Sequence, residues 1–149
     1  MISILFLLFP AVVYALDIAI IVHLDNKTDS VTARELSRIF KQEKQRWDEN
    51  KKVYLVMQES GSIEKEIFVK KVFRMRPNEL KRYWLTKILK GEISAFPKTL
   101  SSNKAIKRFV NQIPTAIGFI DATLVDASVK VLSIDGKRPG DEGYFLSGK

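Results

Sequence analysis

Apolar and polar positions alternate along this chain in two different rhythms. Ile18-Ala19-Ile20-Ile21-Val22 is an unbroken apolar run bounded by Asp17 and His23, the pattern of a strand buried on both faces. A polar turn, Asp25 to Ser30, follows it. Thr32-Ala33-Arg34-Glu35 then has the spacing of a capping box, and Leu36, Ile39 and Phe40 mark one face of the helix it opens. Trp47 falls in a charged loop, and Val53 to Met57 reads as a second strand. Beyond Glu59-Ser60-Gly61-Ser62 the rhythm turns helical: Ile63, Ile67, Phe68, Val72 and Phe73 share a face. Pro77 suits the first turn of the next helix, where Leu80, Trp84 and Ile88 recur every four residues until Gly91. Ser101 or Ser102 caps a helix carrying Ile106, Phe109 and Val110, and Ile117 to Ile120 and Val129 to Ser133 predict two more strands. This order of strands and helices predicts an α/β fold, a short central sheet with helices packed around it.

The first fifteen of the 149 residues follow neither rhythm. Met1 to Ala15 is apolar and uncharged and ends Val13-Tyr14-Ala15, with small residues where a signal peptidase requires them. The expectation is a removable leader over residues 1–15 and one domain over residues 16–149, exported to the periplasm. A membrane anchor is the competing reading, but Pro10 and Asp17 interrupt the run short of the about 20 apolar residues a spanning helix needs. A buried core strand is a third.

Composition removes whole classes of chemistry. With no cysteine there is no disulfide framework, thiolate metal site, thiol nucleophile or lipid-anchoring cysteine. The single His23 lies inside the first strand segment and reads as a structural strand residue, which leaves a serine nucleophile without a base. The carboxylate pairs Asp48-Glu49 and Asp141-Glu142 lie in charged loops and read as solvated. No Gly-Lys-Ser or Gly-Lys-Thr phosphate loop and no dinucleotide fingerprint is present. Trp47, Tyr83, Trp84, Phe96 and Phe119 are spaced for core packing, without the interleaved cations of a base-stacking surface, so nucleic acid is not an expected partner. The expected protein is not an enzyme and carries no cofactor or metal.

Two features remain. Net charge is +8, and lysines and arginines crowd the two helices between Ser62 and Lys90. They are either a solvated face or a field that draws anions. Ser60-Gly61-Ser62 lies between a strand and a helix, where free N–H groups, a permissive glycine and two hydroxyls suit a tetrahedral oxyanion. The same triplet also serves as a plain helix cap with a turn glycine.

An ordered set of landmarks runs through the chain: Glu35-Leu36-Ser37-Arg38-Ile39-Phe40 with Trp47, Ser60-Gly61-Ser62 with Phe68, then Leu80, Tyr83-Trp84 and Gly91, and Ala116-Ile117-Gly118-Phe119-Ile120. By these, Asp17 to Val131 resembles the substrate-binding proteins of phosphate ABC transporters, in a small single-lobe form. The tail, Ile134 to Pro139 and Gly143 to Leu146, is similar to the segment that returns toward the other lobe. The resemblance implies phosphate or a similar oxyanion as ligand at Ser60, Gly61 and Ser62, and a membrane transporter as partner. Lys65, one turn into the helix, adds charge, and Thr28 and Ser30 after the first strand are expected to supply hydroxyls from the facing side. The sequence departs from the family in two ways. The opening segment of the full-length relatives is absent, and their arginine before the Ser-Gly turn is Gln58, which removes a bidentate clamp. The alternative is a module that has kept the fold and lost the ligand, docking through its basic helices to an acidic protein or membrane surface.

Overall fold

The apolar run after Asp17 becomes strand β1 (Ile18–Val22), buried along its whole length. The computed structural model describes residues 16–148, so the expected leader, Met1 to Ala15, lies outside the described residues. A polar turn leads into β2 (Ser30–Val31) and helix α1 (Ala33–Phe40). A small hairpin of β3 (Arg46–Asp48) and β4 (Lys51–Lys52) precedes β5 (Tyr54–Gln58). Helix α2 (Ile63–Phe68) runs on into a π-helical turn over Val69–Phe73, and α3 (Pro77–Leu89) follows. Then come β6 (Lys98–Leu100), α4 (Asn103–Gln112), β7 (Ala116–Asp121), β8 (Lys130–Val131) and β9 (Ser133–Ile134).

The expected α/β layering is present. Five strands form the central sheet in the order β6-β5-β7-β1-β8. Strand β5 runs parallel to β6 and β7, whereas β1 is antiparallel to both of its neighbours, β7 and β8. Four strands therefore point one way and β1 alone points the other. Alternate side chains feed two cores, as a pleated strand buried on both faces requires. Ile18, Ile20, Met57, Ile117 and Phe119 pack with α1, α2 and α3, while Ala19, Ile21, Val56 and Ile120 pack against Ile106 and Val110 of α4. The first core is centred on aromatic rings. Phe68 stacks on Phe119 with centroids 3.9 Å apart, and Phe40 meets Phe68 edge-on at 4.6 Å. Such pairs add about 0.5–1.5 kcal/mol beyond their buried area. Among the described residues no helix is long and apolar enough to cross a membrane.

Several local expectations change in the folded chain. Val129 to Ser133 is two strands, not one: Lys130–Val131 pairs with β1, and Ser133–Ile134 switches to pair with β2. Half of the Thr32 capping box forms. Thr32 Oγ1 accepts from the Glu35 amide at 3.1 Å, but the Glu35 carboxylate takes Lys44 Nζ at 2.7 Å. Trp47 sits in a strand, donating its indole N–H to the Thr115 carbonyl at 2.9 Å. Ile63 and Phe96, expected inside, are 57% and 49% exposed. Ile63 opens its helix on the solvent side, and Phe96 precedes an edge strand. The tail is core: Tyr144 and Leu146 are buried, the Tyr144 hydroxyl donates to the Ile18 carbonyl at 2.8 Å, and Ile18 donates its amide to Leu146 at 2.9 Å. Burial in turn raises the Tyr144 phenol above the ordinary tyrosine range.

One glycine sets the distance between sheet and helix. A Cβ at Gly118 would lie 2.8 Å from Ile106 Cγ2, so α4 approaches β7 closer than any side chain permits. Gly118→Val is expected to cost about 1–3 kcal/mol by overpacking, seen as a lower denaturant midpoint at unchanged slope.

Candidate functional site

Ser60, Gly61 and Ser62 connect the end of β5 to α2. Pairing with β6 continues past the strand, since the Glu59 amide donates to the Leu100 carbonyl at 3.1 Å. Gly61 then turns the chain at φ +99°, a conformation that side-chain-bearing residues rarely adopt, and nothing lies within 4 Å of where its Cβ would be. Ser62 caps α2, its hydroxyl accepting from the Lys65 amide at 3.1 Å. Lys65 folds back over the turn and donates from Nζ to Ser60 Oγ at 3.4 Å. The structure thus brings four of the expected residues together, Ser60, Gly61 and Ser62 in the turn and Lys65 from the first turn of α2. Partial burial holds the Lys65 ammonium below the ordinary lysine range, with the nearby Glu59 carboxylate working the other way.

Thr28 and Ser30 are not part of this cluster, and that expectation is corrected. Ligand loops gather where parallel strands end, but β1 is the reversed strand. Val22, its last residue, pairs with Ile117 near the start of β7, while Ile18 pairs with Asp121 at the end. The segment after β1 consequently emerges at the sheet edge opposite Ser60. There Thr28 closes an Asn26 turn, its amide 2.9 Å from Asn26 Oδ1, and Ser30 pairs with Ser133. His23 serves the same turn region, its Nδ1 accepting from the Asp25 amide at 3.0 Å.

Beneath the Ser-Gly turn lies a polar network that sequence patterns did not indicate. Gln58 is only 3% exposed. Its Nε2 donates to Asn103 Oδ1 at 2.7 Å and to the Phe119 carbonyl at 3.3 Å. Asn103 Oδ1 also accepts from the Asp121 amide at 3.1 Å, and Asn103 Nδ2 donates to Glu64 Oε1 at 3.0 Å. Gln58 therefore points inward and ties β5, β7, α4 and α2 together. The Glu64 carboxylate stands at the opening of α2, where the partial positive charge of free amides favours an anion. An incoming oxyanion meets that internal carboxylate as well as Glu59. Beside the turn, Met57, Leu80, Trp84 and Phe96 join Ser60, Lys65 and Lys81 around a groove of about 360 Å³. Among the described residues no cluster of three or more His, Asp or Glu side chains is placed to hold a metal ion.

Comparison with known proteins adds the fold's relatives. No family model matches the chain, and no curated protein matches it by sequence. Solved structures do. A structure from Clostridium perfringens, described as a phosphate ABC transporter substrate-binding protein with bound phosphate, superposes with a TM-score of 0.69 at 23% identity, over 83% of this chain and 47% of that one. The fold is that of phosphate receptors. An ABC-type phosphate transport receptor from Vibrio cholerae gives a TM-score of 0.67 at 23% identity, over 84% and 48%. PstS from Borrelia burgdorferi gives 0.71 at 16% identity, over 89% and 55%. This chain spans about half the length of each, as the single-lobe resemblance implies.

Replacing Gln58 by leucine keeps the volume and removes the amide that fixes Asn103. The expected cost is about 1–2 kcal/mol of stability, measured by chemical denaturation, with the far-ultraviolet spectrum unchanged.

Proposed function

We propose that the chain is an exported, non-enzymatic solute-binding domain that holds phosphate or a similar oxyanion weakly at Ser60, Gly61 and Ser62. The observation that carries this reading is the loop itself. At the end of β5, in a fold shared with phosphate receptors, two hydroxyls flank a positive-φ glycine and Lys65 Nζ reaches over them. The hydroxyls donate to the oxyanion, Gly61 gives access to the backbone, and Lys65 supplies a point charge. No guanidinium fork is present, and Glu59 and Glu64 oppose the ligand, so affinity is set low, near the millimolar range that corresponds to about −4 kcal/mol. A periplasm-facing ABC transporter is the partner that fits this reading.

Calorimetric titration of phosphate at low and high salt tests it. Saturable heat that salt diminishes is expected, together with an at least tenfold loss in Gly61→Val, a variant that strains the turn without filling any contact. Absence of heat at millimolar phosphate would sink the reading.

The Lys65 ammonium gives a pH signature. Its folded pKa lies below the ordinary value, so the protonated form that binds an anion is lost as pH rises through that lowered pKa. Affinity is expected to fall there, and Lys65→Gln to abolish the dependence. Stability runs in the opposite sense, rising with pH between the folded and the ordinary lysine pKa, because the unfolded chain binds the extra proton.

A second reading is favoured by one feature of α3. Leu85 and Leu89, one turn apart, are 46% and 78% exposed, and Lys81, Arg82 and Lys90 around them are exposed too. An apolar row set among cations suits docking on an acidic protein or an anionic membrane surface. Lys71 takes no part, since its amine is bound to the Phe145 and Ser147 carbonyls of the tail. Lys81→Glu combined with Arg82→Glu is expected to abolish cosedimentation with anionic vesicles and leave phosphate heat intact. Equal recovery of wild type and variant with the vesicles would remove this reading.

A further inference from the structure

A second concentration of positive charge lies away from the Ser-Gly turn. It lines a cleft of about 410 Å³ between α1 and the end of the π-helical turn, formed by Arg34, Arg38, Lys41, Lys71 and Arg74 with Phe145 along one side. That volume falls within the about 300–1,000 Å³ of small-molecule sites. Arg34, Arg38 and Lys41 follow one another at four- and three-residue spacing, which puts the two arginines of α1 and its C-cap lysine on one stripe. Glu43 is the one carboxylate in the lining, and its one ion pair among the described residues is a loose one to Arg38 at 3.9 Å. Arg34, Lys41 and Arg74 make no ion pair among the described residues. Lys71 is engaged by backbone carbonyls, which leave its charge uncancelled. Holding four or five like charges around one concavity is unfavourable until an anion enters it.

The shape of the charge selects the anion. At about 1.5 Å of rise per residue, the backbones of Arg34 and Lys41 stand roughly 10 Å apart along the helix axis, so the row offers cations to several phosphate groups in line. Three arginines, Arg34, Arg38 and Arg74, offer planar forks suited to phosphate oxygens. We propose that this cleft is a second anion site that takes a phosphoanhydride chain of two or three phosphates. The chain lies along α1 between Arg34 and Lys41, and Arg74 closes on it from the facing side. The site shares no residue with the Ser60 turn and stands whether or not that turn binds phosphate.

The test is calorimetric titration of the full chain with sodium tripolyphosphate, with inorganic phosphate in parallel. Tripolyphosphate is expected to bind at least about tenfold more tightly than phosphate. Arg34→Gln combined with Arg38→Gln, both at exposed positions, is expected to weaken it at least about tenfold while leaving the ligand-free melting temperature in place. Lys65→Gln, at the turn, is expected to leave it within about twofold. ADP titrated against pyrophosphate separates the two sources of this chemistry. Equal affinities identify the bare chain as what is read, and tighter ADP adds the nucleoside packing on Phe145. The proposal is overturned if tripolyphosphate binds no more tightly than phosphate, if the double arginine variant binds it like wild type, or if Lys65→Gln removes it.

Discussion

The direction of β1 governs most of what this fold presents to solvent. Its five residues are buried on both faces of the sheet, and it runs against β7 and β8 on either side. Burial of this kind fixes register, because a slip of one residue would exchange Ile18, Ile20 and Val22 for Ala19 and Ile21 between the two cores. The reversal then divides the sheet edges unequally. The carboxyl ends of β5, β6 and β7, with the helices that follow β5 and β6, share one edge, and β1 sends its own loop to the other. The same strand collects the tail through the Tyr144 and Leu146 contacts with Ile18. Removing β1 would take away the strand that joins β7 to β8 and the seat of the tail together.

This dependence explains what was legible in the sequence. Ile18 to Val22 and Ile117 to Ile120 announce themselves because long apolar runs have few other uses, and α1, α3 and α4 carry both caps and periodicity. Strands β2, β3, β4 and β6 have two or three residues each, mostly exposed, and exist only because a partner lies alongside. No local pattern encodes that. Strand direction is equally silent in a sequence, which is why Thr28 and Ser30 were expected beside Ser60 and lie across the sheet from it. The turn at Ser60 was readable because its chemistry is local: a glycine for the left-handed step, a serine for the cap. The Gln58, Asn103 and Glu64 network was not, because it joins residues far apart in the chain. An asparagine following the Ser102 cap was its only trace.

Charge is distributed as unevenly as polarity. The anion-favouring features of the Ser-Gly turn are neutral donors and one partly buried lysine, tempered by Glu59 and Glu64. Arginine, the residue best suited to grip phosphate, is concentrated on α1 and after the π-helical turn. A fold shared with phosphate receptors thus carries an arginine-rich cleft away from the turn at which the resemblance leads one to expect the ligand.

Asn103 joins elements that would otherwise open separately. Its one oxygen holds both the Gln58 side chain and the Asp121 amide. The first turn of α4 cannot fray without releasing the last amide of β7, so these regions are expected to exchange their hydrogens with solvent together.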